Sequence, residues 1–274
     1  MRVTVLCSGS AGNSILVESG STRLLVDAGM QPRELARRME RSAAGARLDQ
    51  VEGVLCTHEH GDHGAGVPAL ASAGLKVYAT GGTARALGLP GAIAVGAGAP
   101  FEAGALRVTP VALPHDAAEP VGFVVADEGG SVGYVVDCGN PTPEVAAAFA
   151  GCELLILETN HDPALLRAGP YPPALKRRIG GPQGHLSNEQ AAELLRLMGP
   201  PRAQVLVLAH LSQENNKPRL ARFAIDRVLA ELGVRPRVLV AGQDKALSPL
   251  RCDKGVAAVE AGVDNRQLCF GFAD

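Results

Sequence analysis

Residues 57–63 read "THEHGDH" and place three histidines and two carboxylates within seven positions. The stretch follows the apolar run "VEGVLC", so His58 and His60 leave the mouth of a buried strand. Two residues apart in an extended backbone, their imidazoles point the same way, while Asp62 and His63 fall where the chain turns into a helix. Two pairs of donors therefore face two neighbouring positions. Mixed imidazole and carboxylate donors suit zinc, and also manganese or iron, better than calcium or magnesium, which prefer oxygen alone. A solvated polar loop is the plain alternative. The other histidines weigh against it, because His115, His161, His185 and His210 each lie at the edge of an apolar segment, and Asp137 ends "SVGYVVD". One histidine at a strand end is usually a hydrogen-bonded structural residue. Four, with an aspartate, beside a ready-made cluster read as a metal site.

Donors scattered from 58 to 210 can meet only if many strands end at one edge. Short strands are expected at 3–7, 14–18 and 23–27, separated by the Gly-rich turn "SGSAGNS" and by "SGS". A helix follows with Pro32 in its first turn, then the strand before the histidine cluster, a helix over 65–73 and a strand at 75–79. Residues 105–137 predict an antiparallel meander, "ALRVTPVAL", "VGFVVAD" and "SVGYVVD", divided by "HDAAEP" and "EGG". Helices and strands then alternate: "PTPEVAAAFAG", "ELLILE", "SNEQAAELLRLMG", "AQVLVLAH", a helix over 218–232 and "RPRVLVAG". Ser187 and Gln190 form a capping box for the third of these, which sets Ala191, Leu194, Leu195 and Met198 on one face. This order implies an α/β (α+β) fold of sheets covered by helices. No linker, repeat or low-complexity tract is evident, so one domain over 1–274 is expected, with no motif to give 246–274 a role.

Composition narrows the function. At 274 residues and 46% hydrophobic content the chain can bury a large core, and no apolar run reaches membrane-spanning length. The N-terminus has no signal-peptide pattern, and six cysteines without CxxC spacing suit buried thiols in a reducing compartment, so the expected location is cytoplasmic. A net charge of −2 gives no global attraction for polyanions, and aromatics at 3% with no Trp argue against a broad base-stacking platform. Nucleic acid would have to be held by local backbone contacts and one or two ring contacts such as Phe101, Phe123 or Tyr171.

The motif "HEHGDH" followed by His115, Asp137 and His210 resembles the metallo-β-lactamase superfamily, whose fold is a four-layer αββα sandwich with a dinuclear site at one edge. "VDAG" at 26–29 is similar to that superfamily's first motif. The resemblance implies two divalent metal ions (Zn or Mn, with Fe open), one on His58, His60 and His115, the other on Asp62, His63 and His210. Asp137 would bridge them, and Asp27 would orient the histidine loop from behind. More narrowly, "CSGSAGNS", "ETNHD", "GHLSNEQAAELL" and "LAHLSQENNKP" resemble the YycJ/WalJ branch, whose members are 5′-to-3′ DNA exonucleases linked to mismatch repair. That branch implies DNA as partner, more than RNA, together with DNA repair proteins and no membrane. "GHLS" is also similar to ribonuclease Z relatives, which makes His185 a proton donor or phosphate-orienting group.

Two ions a few ångströms apart would suit in-line phosphoryl displacement, with Asp62 in the catalytic set and His185 or His161 protonating the leaving oxygen. His161 could equally be a capping or wall residue. Lys176, Arg177 and Arg178, seven to nine residues before His185, are candidate phosphate contacts, as are Ser8 and Asn13 on the Gly-rich turn. The leading expectation is a dinuclear phosphodiesterase of nuclease type, an exonuclease with a repair role. A small-molecule hydrolase (a cyclic phosphodiesterase or thioester hydrolase) is the second reading and a non-catalytic metal-bound scaffold the third. A basic track to the metals would favour the first; a closed neutral pocket would favour the second.

Overall fold

The computed structural model describes residues 1–253. One sheet is built from β1 (Arg2–Cys7), β2 (Ser14–Ser19), β3 (Thr22–Val26), β4 (Gly53–Leu55), β5 (Lys76–Ala79) and β6 (Ile93–Ala94), side by side in that order. The second holds β7 (Phe101–Ala103), β8 (Leu106–Ala112), β9 (Val121–Ala126), β10 (Ser131–Val135), β11 (Leu154–Glu158), β12 (Val205–Ala209) and β13 (Arg237–Val240), also in chain order. β14 (Leu250–Arg251) returns to the first sheet beside β1. That gives part of the segment 246–274 an element the sequence did not reveal; residues 254–274, including Cys269, lie outside the described residues.

Three apolar clusters separate four layers. Between the sheets, Val3, Val17, Leu55, Phe123, Tyr134, Ile156 and Val207 interdigitate. Outside the first sheet, Leu35 and Met39 of α1 (Pro32–Arg41) pack against Leu25 and Val54, joined by Val67 and Leu70. Outside the second, α5 (Pro143–Phe149), α8 (Asn188–Met198) and α9 (Pro218–Glu231) cover Leu155, Leu157, Leu206 and Leu208. The arrangement is the expected αββα sandwich, and it explains why β11 and β12 read as unbroken apolar runs: both faces are covered. Cys56 and Cys138 belong to the outer clusters, so both are core thiols facing away from the sheet interface. Phe123 is also wholly buried there, which removes it as a ring contact for a strand.

The two sheets repeat one plan although the sequence shows no repeat. β1, β2 and β3 are antiparallel neighbours and β3 to β6 run parallel; β8, β9 and β10 are antiparallel and β10 to β13 run parallel. The parallel strands of both sheets finish at one edge, where open α/β sheets place their ligands. The helix expected over 65–73 is α3 (Val67–Ser72), and a separate short helix, α2 (Gly61–Gly64), precedes it. The break falls where Gly66 N–H donates to the Ala28 carbonyl at 2.8 Å. Three further helices, α4 (Gly81–Ala86), α6 (Pro163–Ala168) and α7 (Pro173–Ile179), are too short to show a helical period in the sequence. No described helix is long and apolar enough to cross a membrane.

Candidate metal centre

Strand ends aim the donors. Among the described residues the non-glycine positions with positive φ are Asp27 (61°), Asp137 (59°) and His210 (54°), which follow β3, β10 and β12. A left-handed residue at a strand end swings its side chain back over the sheet edge, at about 1–3 kcal/mol that surrounding contacts must offset. Those contacts are present. Asp27 is fully buried, and its carboxylate accepts from Thr57 N–H at 2.8 Å, from Thr57 Oγ1 at 2.9 Å and from His63 Nδ1 at 2.7 Å.

The other imidazoles are anchored the same way. His58 Nδ1 meets Thr57 Oγ1 at 3.0 Å, His115 Nδ1 donates to the Gly184 carbonyl at 2.8 Å, and His210 Nδ1 donates to Glu158 Oε1 at 3.0 Å. With Nδ1 held by protein oxygens, His58, His63, His115 and His210 all turn Nε2 inward, the arrangement that fixes tautomer and ring orientation at metal sites. His60 instead offers Nδ1, 3.2 Å from His115 Nε2. Donor atoms of His58, His60 and His115 form one cluster, and those of Asp62, His63, Asp137 and His210 a second, each within 4.8 Å of one another. Asp137 Oδ2 joins them, 3.2 Å from His58 Nε2 and 2.8 Å from His63 Nε2.

Burial alone would drive these carboxyls up and these imidazoles down, so the shifts that run the other way measure the mutual field. Asp137 is held well below the usual carboxylate range by His210, His63 and His185. A hydrogen bond from His210 and the charge of His63 bring Asp62 to about 2. Asp137 and Asp27 lift His63 to about 10. His58 goes the other way, pushed down by burial and by His63. The donor set fits divalent ions: carboxylates that stay ionised, nitrogens converging on two points, and a buried His58 Nε2 without a hydrogen-bond partner among the described residues. An unpaired buried polar atom costs about 1–3 kcal/mol, which ligation would remove.

Sequence reasoning missed Glu158. It is wholly buried at the end of β11; Oε2 accepts from Cys138 N–H (2.9 Å) and Leu186 N–H (3.1 Å), and Oε1 takes Nδ1 of both His185 (2.9 Å) and His210 (3.0 Å). Its donors cluster with Asp137, His185 and His210, but with both oxygens occupied it anchors imidazoles rather than offering itself. The available signal was a carboxylate closing the apolar strand "LLILE". His185 Nδ1 lies 2.9 Å from both Asp137 Oδ1 and Glu158 Oε1, and these carboxylates outweigh burial and lift it to about 9. Its side chain keeps 17% exposure, so a proton on it can reach a bound group.

Several expected substrate contacts are engaged with the protein itself. Ser8 and Asn13 are buried: Ser8 Oγ accepts the His210 N–H at 2.8 Å, and Asn13 Nδ2 lies 3.0 Å from His63 Nε2 and 3.3 Å from the Asp62 carbonyl. Their polar atoms are spent on the donors, not offered to a phosphate. In the basic run, Arg178 pairs with Asp116 at 2.5 and 3.1 Å, and Lys176 Nζ donates to the Arg167 carbonyl at 2.7 Å. Arg177 is exposed, with no side-chain partner among the described residues. His161 joins none of the donor clusters and lies in the wall of a neighbouring cavity, where burial takes it down to about 4.

Gly29 shows how tightly the donor turn is seated. A Cβ there would stand 1.8 Å from the Asp62 carbonyl oxygen, the atom that accepts Asn13 N–H at 2.8 Å. Gly29→Ala is therefore expected to displace Asp62 and His63 and weaken metal affinity by about 10–100-fold, the range for disturbed supporting shells. Metal titration calorimetry reads this directly, and unchanged affinity would mean that the turn moves without consequence.

Residues 22–211 match the family described as "Beta-lactamase superfamily domain", a span that includes every donor named above. The chain belongs to the metallo-β-lactamase superfamily. Within it, the chain is 34% identical to exodeoxyribonuclease YycJ of Bacillus anthracis over 241 residues, covering 85% of this chain and 90% of the relative. Exodeoxyribonuclease WalJ of Streptococcus pneumoniae is 32% identical over 246 residues at the same coverage. These matches place it in the YycJ/WalJ branch, and it is a metal-dependent hydrolase. Among solved folds, Zn(2+)-bound PqqB of Methylobacterium extorquens superposes with a TM-score of 0.68 at 20% identity, covering 90% of this chain and 99% of that one.

Proposed function

We propose that the protein is an exodeoxyribonuclease that removes nucleotides from the 5′ end of DNA, using two divalent ions, zinc, manganese or iron. The observation that carries this is the meeting of two donor clusters on Asp137 beside a hydrogen-bonded His185–Glu158 pair. The exodeoxyribonuclease names of both relatives support the choice of DNA. His58, His60 and His115 would hold one ion and Asp62, His63 and His210 the other, with Asp137 serving both clusters. When bound, the ions supply an activated water and neutralise charge on the phosphoryl group. His185 carries the proton for the departing oxygen, and Glu158 keeps its ring aimed. Asp27, Ser8 and Asn13 hold the donors from behind. The setting this reading implies is DNA repair in a reducing cytoplasm, which five buried free cysteines among the described residues suit.

The test is cleavage of 5′-labelled and 3′-labelled DNA and RNA oligonucleotides by protein loaded with manganese or zinc, with His58→Ala as control. Stepwise metal-dependent loss of DNA from the 5′ end, absent in the variant, is the expected result. No cleavage of nucleic acid with either metal would overturn the reading in favour of a small diester.

A further inference from the structure

A cavity of about 550 Å³ opens beside the His185–Glu158 pair, walled by α6, α7 and the start of α8. This volume lies within the ~300–1,000 Å³ of small-ligand sites. It shares backbone with the proton carrier: His161, three residues past Glu158, bridges to Ser187, two residues past His185. Leu166 and Pro173 give it an apolar side, and Arg167, Lys176 and Arg177 a cationic one. Neither Arg167 nor Arg177 has a side-chain partner among the described residues. The nearby Asp162 carboxylate caps α6, accepting from the N–H groups of Ala164 and Leu165 at 2.9 Å, and pairs with neither arginine. His161 is only 3% exposed, and its Nδ1 is buried with no hydrogen-bond partner among the described residues. That nitrogen has no accessible surface, so a ligand in the cavity would meet the ring of His161 and not this atom.

Resting on the reading above, we propose that this cavity seats the 5′-terminal nucleotide of the strand, with Arg177, Arg167 and Lys176 on its phosphate and His161 against its nucleoside. The chemistry explains the placement. Hydrolysis adds the oxygen of water to phosphorus and breaks the P–O3′ bond, and the freed 3′ oxygen takes the proton carried by His185. The nucleotide on the His185 side is then the one that departs, and a cavity of this volume between three helices takes one nucleotide rather than a continuing strand. A free end is required, so the enzyme works as an exonuclease. The phosphorus stays with the next nucleotide as a new 5′-phosphate, so each turnover recreates the group that the basic wall reads.

The experiment measures binding of thymidine 5′-monophosphate, thymidine 3′-monophosphate and thymidine to the metal-loaded protein and to its Arg177→Glu and His161→Ala variants. In parallel, cleavage of one oligonucleotide with a 5′-phosphate or a 5′-hydroxyl is compared within each protein. The 5′-monophosphate is expected to bind best, Arg177→Glu to weaken it by about tenfold or more, and the preference for phosphorylated ends to collapse in that variant. Arg177 is exposed, so the fold survives the change. Equal binding in the wild type, Arg177→Glu and His161→Ala would overturn the proposal and put the phosphate on the metals. An equal effect of Arg177→Glu on binding of the 3′- and the 5′-monophosphate would overturn its 5′ assignment. A wild type that cleaves no DNA would sink the exonuclease reading, while monophosphate binding would still decide the cavity.

Discussion

Asp137→Ala is expected to empty the centre and stop hydrolysis together. Asp137 Oδ2 stands 3.2 Å from His58 Nε2 and 2.8 Å from His63 Nε2, and Oδ1 stands 2.9 Å from the Nδ1 atoms of His185 and His210. Removing this carboxylate leaves His58 Nε2 and His63 Nε2 facing a buried space with no anion between them, while Glu158 still holds His185 and His210. Like charges then oppose any pair of cations at the same place. Metal content should fall from about two ions per chain, the number a two-metal site needs, to one or none, and turnover by on the order of 10³-fold. Elemental analysis of the purified variant checks the first and oligonucleotide cleavage the second. Full metal content in Asp137→Ala would remove the bridging role. Asp137→Asn separates shape from charge: a loss as large as that of the alanine variant would assign the effect to the missing anion.

The legible part of this site was the part built from local spacing. "THEHGDH" fixes four donors because strand and helix geometry over seven residues is short-range, and Asp137 and His210 were legible because each ends an apolar strand. Less visible was how the imidazoles are held. Glu158 bonds residues 27 and 52 positions away in sequence, and no local pattern encodes such a contact. Ser8 and Asn13 were drawn toward a phosphate-binding role because Gly-rich turns expose N–H groups. In the folded chain that turn packs under Asp62 and His63, and its hydrogen bonds are consumed there. Position in the run "KRR" likewise could not separate Arg178, which faces Asp116, from Arg177, which faces solvent.

The fold was legible for a related reason. Strands covered on both faces read as continuous apolar runs, whereas helices of one or two turns leave no period to detect. The doubled plan was hidden because only its functional corners keep a common sequence. "VDAG" after β3 and "VDCG" after β10 occupy the same place in the two sheets, where antiparallel pairing gives way to parallel. Each aspartate takes the same left-handed turn. One was retained as an anchor for Thr57 and His63 and the other placed between the donor clusters, so a single backbone device serves two electrostatic tasks.

His185→Gln is expected to separate catalysis from metal binding. His185 belongs to neither of the two clusters that meet on Asp137 Oδ2, and Glu158 keeps three other donors, Cys138 N–H, Leu186 N–H and His210 Nδ1, when it is lost. Metal content should therefore hold near the wild-type level. Loss of a positioned acid typically costs about 10²–10⁴-fold, and DNA cleavage should fall within that range because a 3′ alkoxide cannot depart without a proton. A diester that releases nitrophenolate needs no such proton, so its hydrolysis should fall by no more than about tenfold. Glu158→Gln should follow the same pattern more weakly, about 10–100-fold on DNA, since it acts through the aim and charge of two imidazoles. Equal losses on DNA and on the nitrophenyl diester would show that His185 positions the phosphoryl group instead of donating to the leaving oxygen. A loss of metal in His185→Gln would instead make it a ligand, and the cluster of Asp137, Glu158, His185 and His210 a binding site in its own right.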